Sequence, residues 1–299
     1  MIRKNIQLVS IDPQNDFCHP NGSLFVDGAQ EDMRRLAKMV ARIGHKLTDI
    51  HVTMDLHHYV DVGHPALWVD AKGNHPTPVA QLTYDPATDK FINVIDGVEY
   101  EPFAPAMVVR MVNGKPVTLQ EDMIDYATKL ATSNKAGKYD TSLTIWPPHC
   151  LIGSWGSNIY DELFKVLLDW ENSPAQVHYV TKGTNYLREH YSAIKAQVSD
   201  PTDPLTLPNT DFITMLNEAD EIPITGEALN YCMANTFFDI VDLGGDEIAA
   251  KLVLIEDATS SVRHPIPEVD KLMVQYRDNF INEMTAKGMK VSNTQDYLA

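Results

Sequence analysis

Apolar residues in this chain fall into short unbroken runs, and between the runs lie longer stretches with helical spacing. Ile6-Gln7-Leu8-Val9-Ser10-Ile11 reads as a buried first strand ending at Asp12. Residues 31–47 carry Met33, Leu36, Val40, Ile43 and Leu47 at helical intervals, and residues 50–54 form a second apolar run ending at Asp55. The rhythm continues with a helix over 161–170, a strand over 176–181 ending at Lys182, and a helix over 210–218. A strand over 221–225, a helix beginning near Cys232, a strand over 251–255 and a helical tail over 269–287 complete it. Strands alternating with helices predict a mostly parallel central sheet covered on both faces, a three-layer α/β/α fold.

Residues from about 58 to about 142 break this rhythm and are rich in Pro, Gly and Asp. Asn113-Gly114, set between Val108-Val109-Arg110-Met111-Val112 and Pro116-Val117-Thr118-Leu119, is a strong hairpin signal, and Asp96-Gly97 is a weaker one. A helix is expected over 121–130. The strand–helix alternation resumes on both sides. The region therefore reads as a β-hairpin-rich insertion within one domain spanning 1–299.

Composition narrows the function. The chain has 299 residues, ample for a packed core, with 44% hydrophobic and 22% charged residues. A net charge of −17 argues against a phosphate-binding surface and hence against nucleic acid as a partner. Three cysteines at distant positions do not suggest a disulfide framework and fit a reducing compartment. The first residues lack the long apolar stretch of a signal peptide, and no run approaches membrane-spanning length. The expected location is the cytoplasm, with no membrane partner.

Four polar residues stand at predicted strand ends: Asp12, Asp55, Lys182 and Cys232. At one edge of a parallel sheet they converge on one crevice, where open α/β sheets place their ligands. Cys232 follows the strand ending in Thr225-Gly226 and begins a helix, where the helix dipole favours a thiolate. Asp55, His57 and His149 offer one carboxylate and two imidazoles, a set suited to Zn²⁺, Fe²⁺ or Mn²⁺. Asp55 and His57 share parity on an extended segment, so both side chains can face one ion.

These residues lie in motifs with a known counterpart. Asp12-Pro13-Gln14-Asn15-Asp16-Phe17 resembles the D-x-Q-N-D-F opening of nicotinamidases in the isochorismatase-like cysteine hydrolase superfamily. Asp55-Leu56-His57 is similar to their D-x-H metal motif, and Trp146-Pro147-Pro148-His149-Cys150 to their W-P-x-H-C segment. Lys182-Gly183 follows a strand as their catalytic lysine does. Tyr191-Ser192-Ala193 resembles their Y-S-x stretch, and Gly226 to Cys232 resembles G-x-A-x-x-Y-C. The motifs keep the family's order and cover the chain apart from the insertion.

The resemblance implies an Asp12–Lys182–Cys232 triad. Asp12 takes the thiol proton, Lys182 steadies the negative charge, and Cys232 attacks an amide carbonyl. It implies oxyanion N–H groups around Ala228 and Cys232, where the family has a cis peptide. It implies one divalent ion, zinc first, with iron or manganese as alternatives, held by Asp55, His57 and His149. That ion lies beside the nucleophile and can hold a pyridine ring nitrogen. His64 is a candidate further ligand, because some relatives carry one soon after D-x-H, although the spacing differs. Phe17 and Trp146 correspond to aromatics walling the ring pocket, with ordinary core packing as their competing role, and Tyr191 is a further candidate to line it. A homo-oligomer is also implied.

The chain departs from the pattern in places. A long insertion separates D-x-H from W-P-x-H, and it leaves from and returns to the metal motif, so it is expected to border the pocket. Glu227 and Leu229 replace residues common in relatives, Asn230 replaces an aspartate, and Glu227 and Leu229 are expected with the insertion to shape the pocket. The leading expectation is a metal-containing cysteine amidohydrolase converting nicotinamide to nicotinate and ammonia. The alternatives are a related enzyme acting on another small amide or a vinyl ether, and a non-catalytic small-molecule-binding relative.

Overall fold

The computed structural model describes residues 4–133, 142–173, 175–245 and 247–299. In chain order, β1 (Gln7–Ile11) leads into a single turn, α1 (Asn15–Cys18), and then α2 (Ala29–Ile43) and β2 (Asp49–Asp55). The inserted region holds β3 (Trp68–Val69), β4 (Gln81–Asp85), β5 (Lys90–Asn93), β6 (Glu99–Pro102), β7 (Val108–Val112), β8 (Lys115–Thr118), α3 (Leu119–Ser133) and β9 (Leu143–Thr144). The alternating pattern then resumes with α4 (Asp161–Glu171), β10 (Val177–Lys182), α5 (Thr210–Glu218), β11 (Ile222–Gly226), α6 (Ala234–Gly244), β12 (Leu252–Ile255), α7 (Pro267–Ala286) and β13 (Lys290–Ser292).

The central sheet has six strands in the order β10-β2-β1-β11-β12-β13, all parallel. Burial on both faces explains why β1 reads as a continuous apolar run. Ile6 and Leu8 pack on one side with Met33, Leu36 and Val40 of α2 and with Leu163 and Leu167 of α4. Val9 and Ile11 point the other way, against Phe212 of α5, Phe237 of α6 and Phe280 of α7. Period-two alternation in the strand thus builds a three-layer α/β/α body.

Chain connections from β1 and β11 run to opposite sides of the sheet, so the crevice between them is the switch point where such sheets place their sites. Gly226 closes β11 beside β1 at φ 113°. A Cβ there would lie 2.0 Å from the Ile11 carbonyl oxygen, so no larger residue fits.

The insertion forms a five-stranded antiparallel sheet, β3-β6-β5-β4-β9, and a separate β7–β8 hairpin. The Asn113-Gly114 hairpin is present, with both residues at positive φ and Val112 paired to Lys115. The Asp96-Gly97 turn joins β5 to β6, which pair antiparallel. Trp68, Phe91 and Leu82 pack with Met123 and Tyr126 of α3 and with Leu187 from the main body. The short elements α1, β3 and β9 escaped the sequence pattern, and so did two others. The β4–β5 hairpin turns at residues 86–89 without a Gly signal, and β13 is three half-exposed or exposed residues recruited by β12. The helix expected over 31–47 ends at Ile43, where Gly44–Lys46 tighten into a 3₁₀ turn.

Candidate active site

Adjacent strands deliver the charged residues to one point. Lys182 and Asp55 end β10 and β2 and are register partners. Asp12 follows β1 in a left-handed conformation, φ 44°, which aspartate tolerates better than most residues. After β11 the chain makes a wide π turn, Leu229–Met233, that runs on into α6 and carries Cys232. Such turns recur at functional sites. The Glu227–Ala228 peptide before it is cis, as the resemblance implies.

Lys182 is the hub. Its Nζ lies 3.0 Å from Asp12 Oδ2, 3.0 Å from Asp55 Oδ1 and 3.8 Å from Cys232 Sγ, and it donates to the His190 carbonyl at 3.0 Å. The other Asp12 oxygen accepts from Thr53 Oγ1 at 2.5 Å, while the Asp12 N–H donates back to that hydroxyl. The Cys232 thiol is within hydrogen-bonding reach of Asp12. All of these groups are buried.

Burial works against the ammonium, but Asp12 and Asp55 outweigh it and hold Lys182 well above the usual lysine range. Burial pushes the Asp12 carboxyl up, only partly offset by Lys182, which makes it a stronger base than an exposed aspartate. Burial also pushes the Cys232 thiol well up, with Lys182 pulling the other way. Burial therefore favours the neutral Cys232 thiol over the thiolate that a helix terminus would favour. Iodoacetamide is expected to label Cys232 before Cys18 and Cys150, because Cys232 lines the pocket and the other two are sealed. The labelling rate should climb as pH rises above neutrality. A rate already at its plateau at pH 7, read by peptide mass mapping, would contradict the neutral thiol.

The metal motif sits on the other side of Asp55. Among the described residues, Asp55, His57 and His149 each offer one ligand atom, all within 4.8 Å of one another. His57 Nδ1 faces Asp61 Oδ2 at 3.1 Å, which turns Nε2 toward Asp55 Oδ2 at 3.0 Å. His149 Nδ1 donates to the Pro147 carbonyl at 2.9 Å, which leaves Nε2 facing Asp55 at 3.6 Å. One carboxylate and two imidazoles, each oriented by an outer partner, fit a divalent transition ion. His64 stands behind this set. Its Nδ1 meets the His58 carbonyl at 3.1 Å and its Nε2 meets His149 Nδ1 at 3.3 Å, the nitrogen turned away from Asp55. Burial, with His149 and His57, pushes His64 down to about 2, so it packs as a neutral ring against His149.

Cys232, Asp55 and His149 open onto one narrow, mostly apolar pocket walled by Phe17, Trp146, Tyr191, Ala228, Tyr231 and Glu189, among others. Trp146 Nε1 donates to the Tyr191 hydroxyl at 3.0 Å, and Tyr231 packs edge-on against Trp146 at 5.0 Å. Phe17 meets His149 edge-on at 5.3 Å. A wider surface hollow, lined by His19, Trp155, Tyr160 and Tyr179, contains none of Asp12, Lys182, Cys232, Asp55, His57 and His149.

The insertion reaches this pocket through its two ends and through α3. Asp61, Gly63 and His64 mark its departure, and the Trp146 N–H returns to the Gly63 carbonyl at 2.7 Å. Asp122 of α3 grips buried Arg188 at 2.7 and 3.0 Å, beside pocket-lining Glu189. Burial raises that Glu189 carboxyl to about 7.

Several contributors carry no separate role in the sequence reading. Thr53, Asp61, Glu189 and Tyr231 are among them. So is Gln14, whose amide brackets Asp55 by donating to its carbonyl and accepting from its N–H, both at 2.7 Å. Gln14 lies inside the quoted opening motif, and Asp61 falls one helical turn's spacing after His57. Thr53 and Glu189 have no local signal. Glu227 and Leu229, expected to shape the pocket, do not line it: Glu227 turns toward α2 and Leu229 joins the core of the opposite layer.

Fold and cluster together define a class: an isochorismatase-like α/β/α protein with a cysteine, an aspartate and a lysine gathered at the switch point of its sheet. No family model matches the chain. The nicotinamidase of Saccharomyces cerevisiae is 23% identical over 278 residues, covering 92% of this chain and 97% of that protein. The crystal structure of the yeast nicotinamidase bound to the inhibitor nicotinaldehyde matches with a TM-score of 0.58 at 19% identity, over 96% of this chain and 99% of that one. A nicotinamidase/pyrazinamidase of Acinetobacter baumanii matches at 0.57 and 18% identity, over 99% and 100%. In sequence and in fold, the chain is nicotinamidase-like.

Proposed function

We propose that this chain is an amidohydrolase that converts nicotinamide to nicotinate and ammonia, within one domain interrupted by the insertion. The observation that carries the proposal is the single Lys182 ammonium bonded to both Asp12 and Asp55 beside the Cys232 thiol. The nicotinamidase likeness supplies the substrate.

Cys232 Sγ attacks the amide carbon as its proton passes to Asp12, whose raised pKa suits it to accept. Lys182 keeps its proton throughout and steadies the charge on both partners. The carbonyl oxygen becomes an oxyanion facing the backbone N–H groups of Ala228 and Cys232, where one donor is typically worth about 3 kcal/mol. Asp12 returns the proton to the leaving nitrogen, the C–N bond breaks and ammonia departs, leaving a thioester. Water, deprotonated by Asp12, then attacks the thioester carbon, the C–S bond breaks, and the thiol regains its proton. Phe17, Trp146 and Tyr191 enclose a flat ring and exclude bulk water.

Asp55, His57 and His149 would hold one divalent ion, zinc by our reading, with iron or manganese as alternatives. Bound there, the ion supplies a Lewis-acid contact for a ring nitrogen. The three cysteines are free, in keeping with a reducing compartment, and no helix of the described residues is long and apolar enough to cross a membrane. We propose the cytoplasm as its location, and on the resemblance we propose a homo-oligomer, which light scattering would read directly.

The test is ammonia release from a panel of carboxamides by intact and metal-stripped protein. Nicotinamide should be the preferred substrate. Stripping should lower its turnover by about 100-fold, and stoichiometric zinc, iron or manganese should restore it. Tight binding of nicotinamide with no turnover of any amide would favour the non-catalytic reading. Full activity without any ion would remove the metal from the proposal.

A further inference from the structure

Behind the nucleophile turn lies a pair of acids that the reaction does not use. Glu227 is fully buried, and among the described residues no cation bonds to it. Its Oε2 accepts the Ser260 N–H at 3.0 Å, while its Oε1 has no donor. The group within hydrogen-bonding reach of that carboxyl is Asp32 of α2. Asp32 is already committed, with Oδ2 accepting from Ser260 Oγ at 2.5 Å and Oδ1 paired to Arg35.

We propose that Glu227 and Asp32 share one proton, and that this carboxyl–carboxylate clasp positions residues 226–230 for the reaction at Cys232. Two ionised carboxylates only accept hydrogen bonds and repel each other, so a buried contact between them requires a proton. With that proton the orphaned oxygen gains a partner, and the bond is a strong charge-assisted one. Burial pushes the Glu227 carboxyl well up and the Asp32 charge adds to it, while burial also raises Asp32. Arg35 of α2 pulls the other way from a half-exposed position. From α1 the facing titratable group is Cys18, a neutral thiol pushed up by burial, and from the loop after β12 it is only the Ser260 hydroxyl and amide. Asp12, beyond the end of β1, is the next acid in range of Cys18.

The clasp reaches the nucleophile through a short ladder. The Gly226 N–H donates to the Ala258 carbonyl at 2.9 Å, and the Leu229 N–H donates to the Ser260 carbonyl at 2.8 Å. Asn230 completes it with two bonds to Val262, at 2.9 and 3.1 Å. Glu227 therefore ties the start of the π turn, through Ser260, to α2. It does not line the pocket, so it is a positioning residue, and its neighbour Ala228 is the one that does.

Two measurements are independent of any activity. Infrared difference spectra of parent minus Glu227→Gln at neutral pH should show a protonated-carboxyl C=O band. The folded pair holds a proton that the unfolded chain has released, so stability falls as pH rises toward the raised folded value. Glu227→Gln keeps a donor for Asp32 with nothing to titrate. Its melting temperature should therefore gain on the parent's between about pH 5 and about pH 8.

The kinetic arm rests on the amidohydrolase reading. Glu227→Val should lower kcat roughly tenfold with KM within about twofold, and Glu227→Gln should restore most of it. A missing difference band, or a melting gap equal at both pH values, overturns the clasp. A kcat unmoved by Glu227→Val overturns its positioning role. A parent that hydrolyses no amide sinks the function instead, and the infrared and melting results still decide the clasp.

Discussion

Replacing Cys232 by alanine should reduce amide turnover by on the order of 10⁴-fold or more, the scale seen when a nucleophile is removed from a concerted catalytic unit. The fold should survive. The thiol packs in a buried position, and deleting one small buried atom typically costs about 1 kcal/mol. Lys182 loses a partner at 3.8 Å but keeps Asp12, Asp55 and the His190 carbonyl, so no charge is left unpaired. Ring binding should persist too, because the aromatic walls and the metal set are untouched. The diagnostic result is a variant with near-parental melting and nicotinamide affinity but no ammonia release. Turnover within tenfold of the parent would remove Cys232 from the mechanism.

Lys182→Met should have the largest effect on stability. It removes the one cation placed between two buried carboxylates, and the methionine chain fills its space without a charge. Breaking a buried pair by deleting one partner typically costs about 3–5 kcal/mol. That is a large part of the roughly 5–15 kcal/mol that holds a domain folded. The urea midpoint should fall accordingly, and activity should vanish even in the folded fraction. Asp12 would lose the charge that orients it, and Asp55 would lose its anchor on the side opposite His57. Lys182→Met with the parent's urea midpoint would show that the two acids do not depend on the lysine charge, and would refute the hub described above. Lys182→Arg is the informative companion, since it keeps the charge while its planar fork misfits a pocket shaped for three separate acceptors.

Much of this site is legible locally. A strand buried on both faces must read as an apolar run, and the polar residue that ends it must face the sheet edge, so Asp12 and Asp55 declare their places, while Lys182 ends the half-exposed edge strand β10. The Asn-Gly hairpin is legible for the same reason, because both of its residues adopt positive φ at low cost. Thr53 and Glu189 are not legible, because each acts across a distance in the chain. Thr53 sits 41 residues from the Asp12 carboxylate it holds. Glu189 enters the pocket beside Arg188, which the insertion grips through Asp122.

The departures from the family pattern show the same division. Glu227 reads as a charge beside the nucleophile and hence as a pocket residue. In the folded chain it points the opposite way, onto Asp32 and Ser260. Asn230, in place of an aspartate, offers Val262 a donor as well as an acceptor, which a carboxylate lacks.

By itself, the sequence determined the alternation of strands and helices in the main body up to α7, the edge of the sheet that carries chemistry, and the residue types that meet there. Those follow from apolar periodicity and from short motifs, both of which act over a few residues. The tertiary structure alone decided the protonation states and the partners. Cys232 rests as a thiol, Asp12 is a strengthened base, His64 backs His149, and Glu227 faces an acid instead of the pocket. Each of these depends on how far a group is taken out of water and which charge the fold brings beside it, and neither is encoded in the residues next to it along the chain.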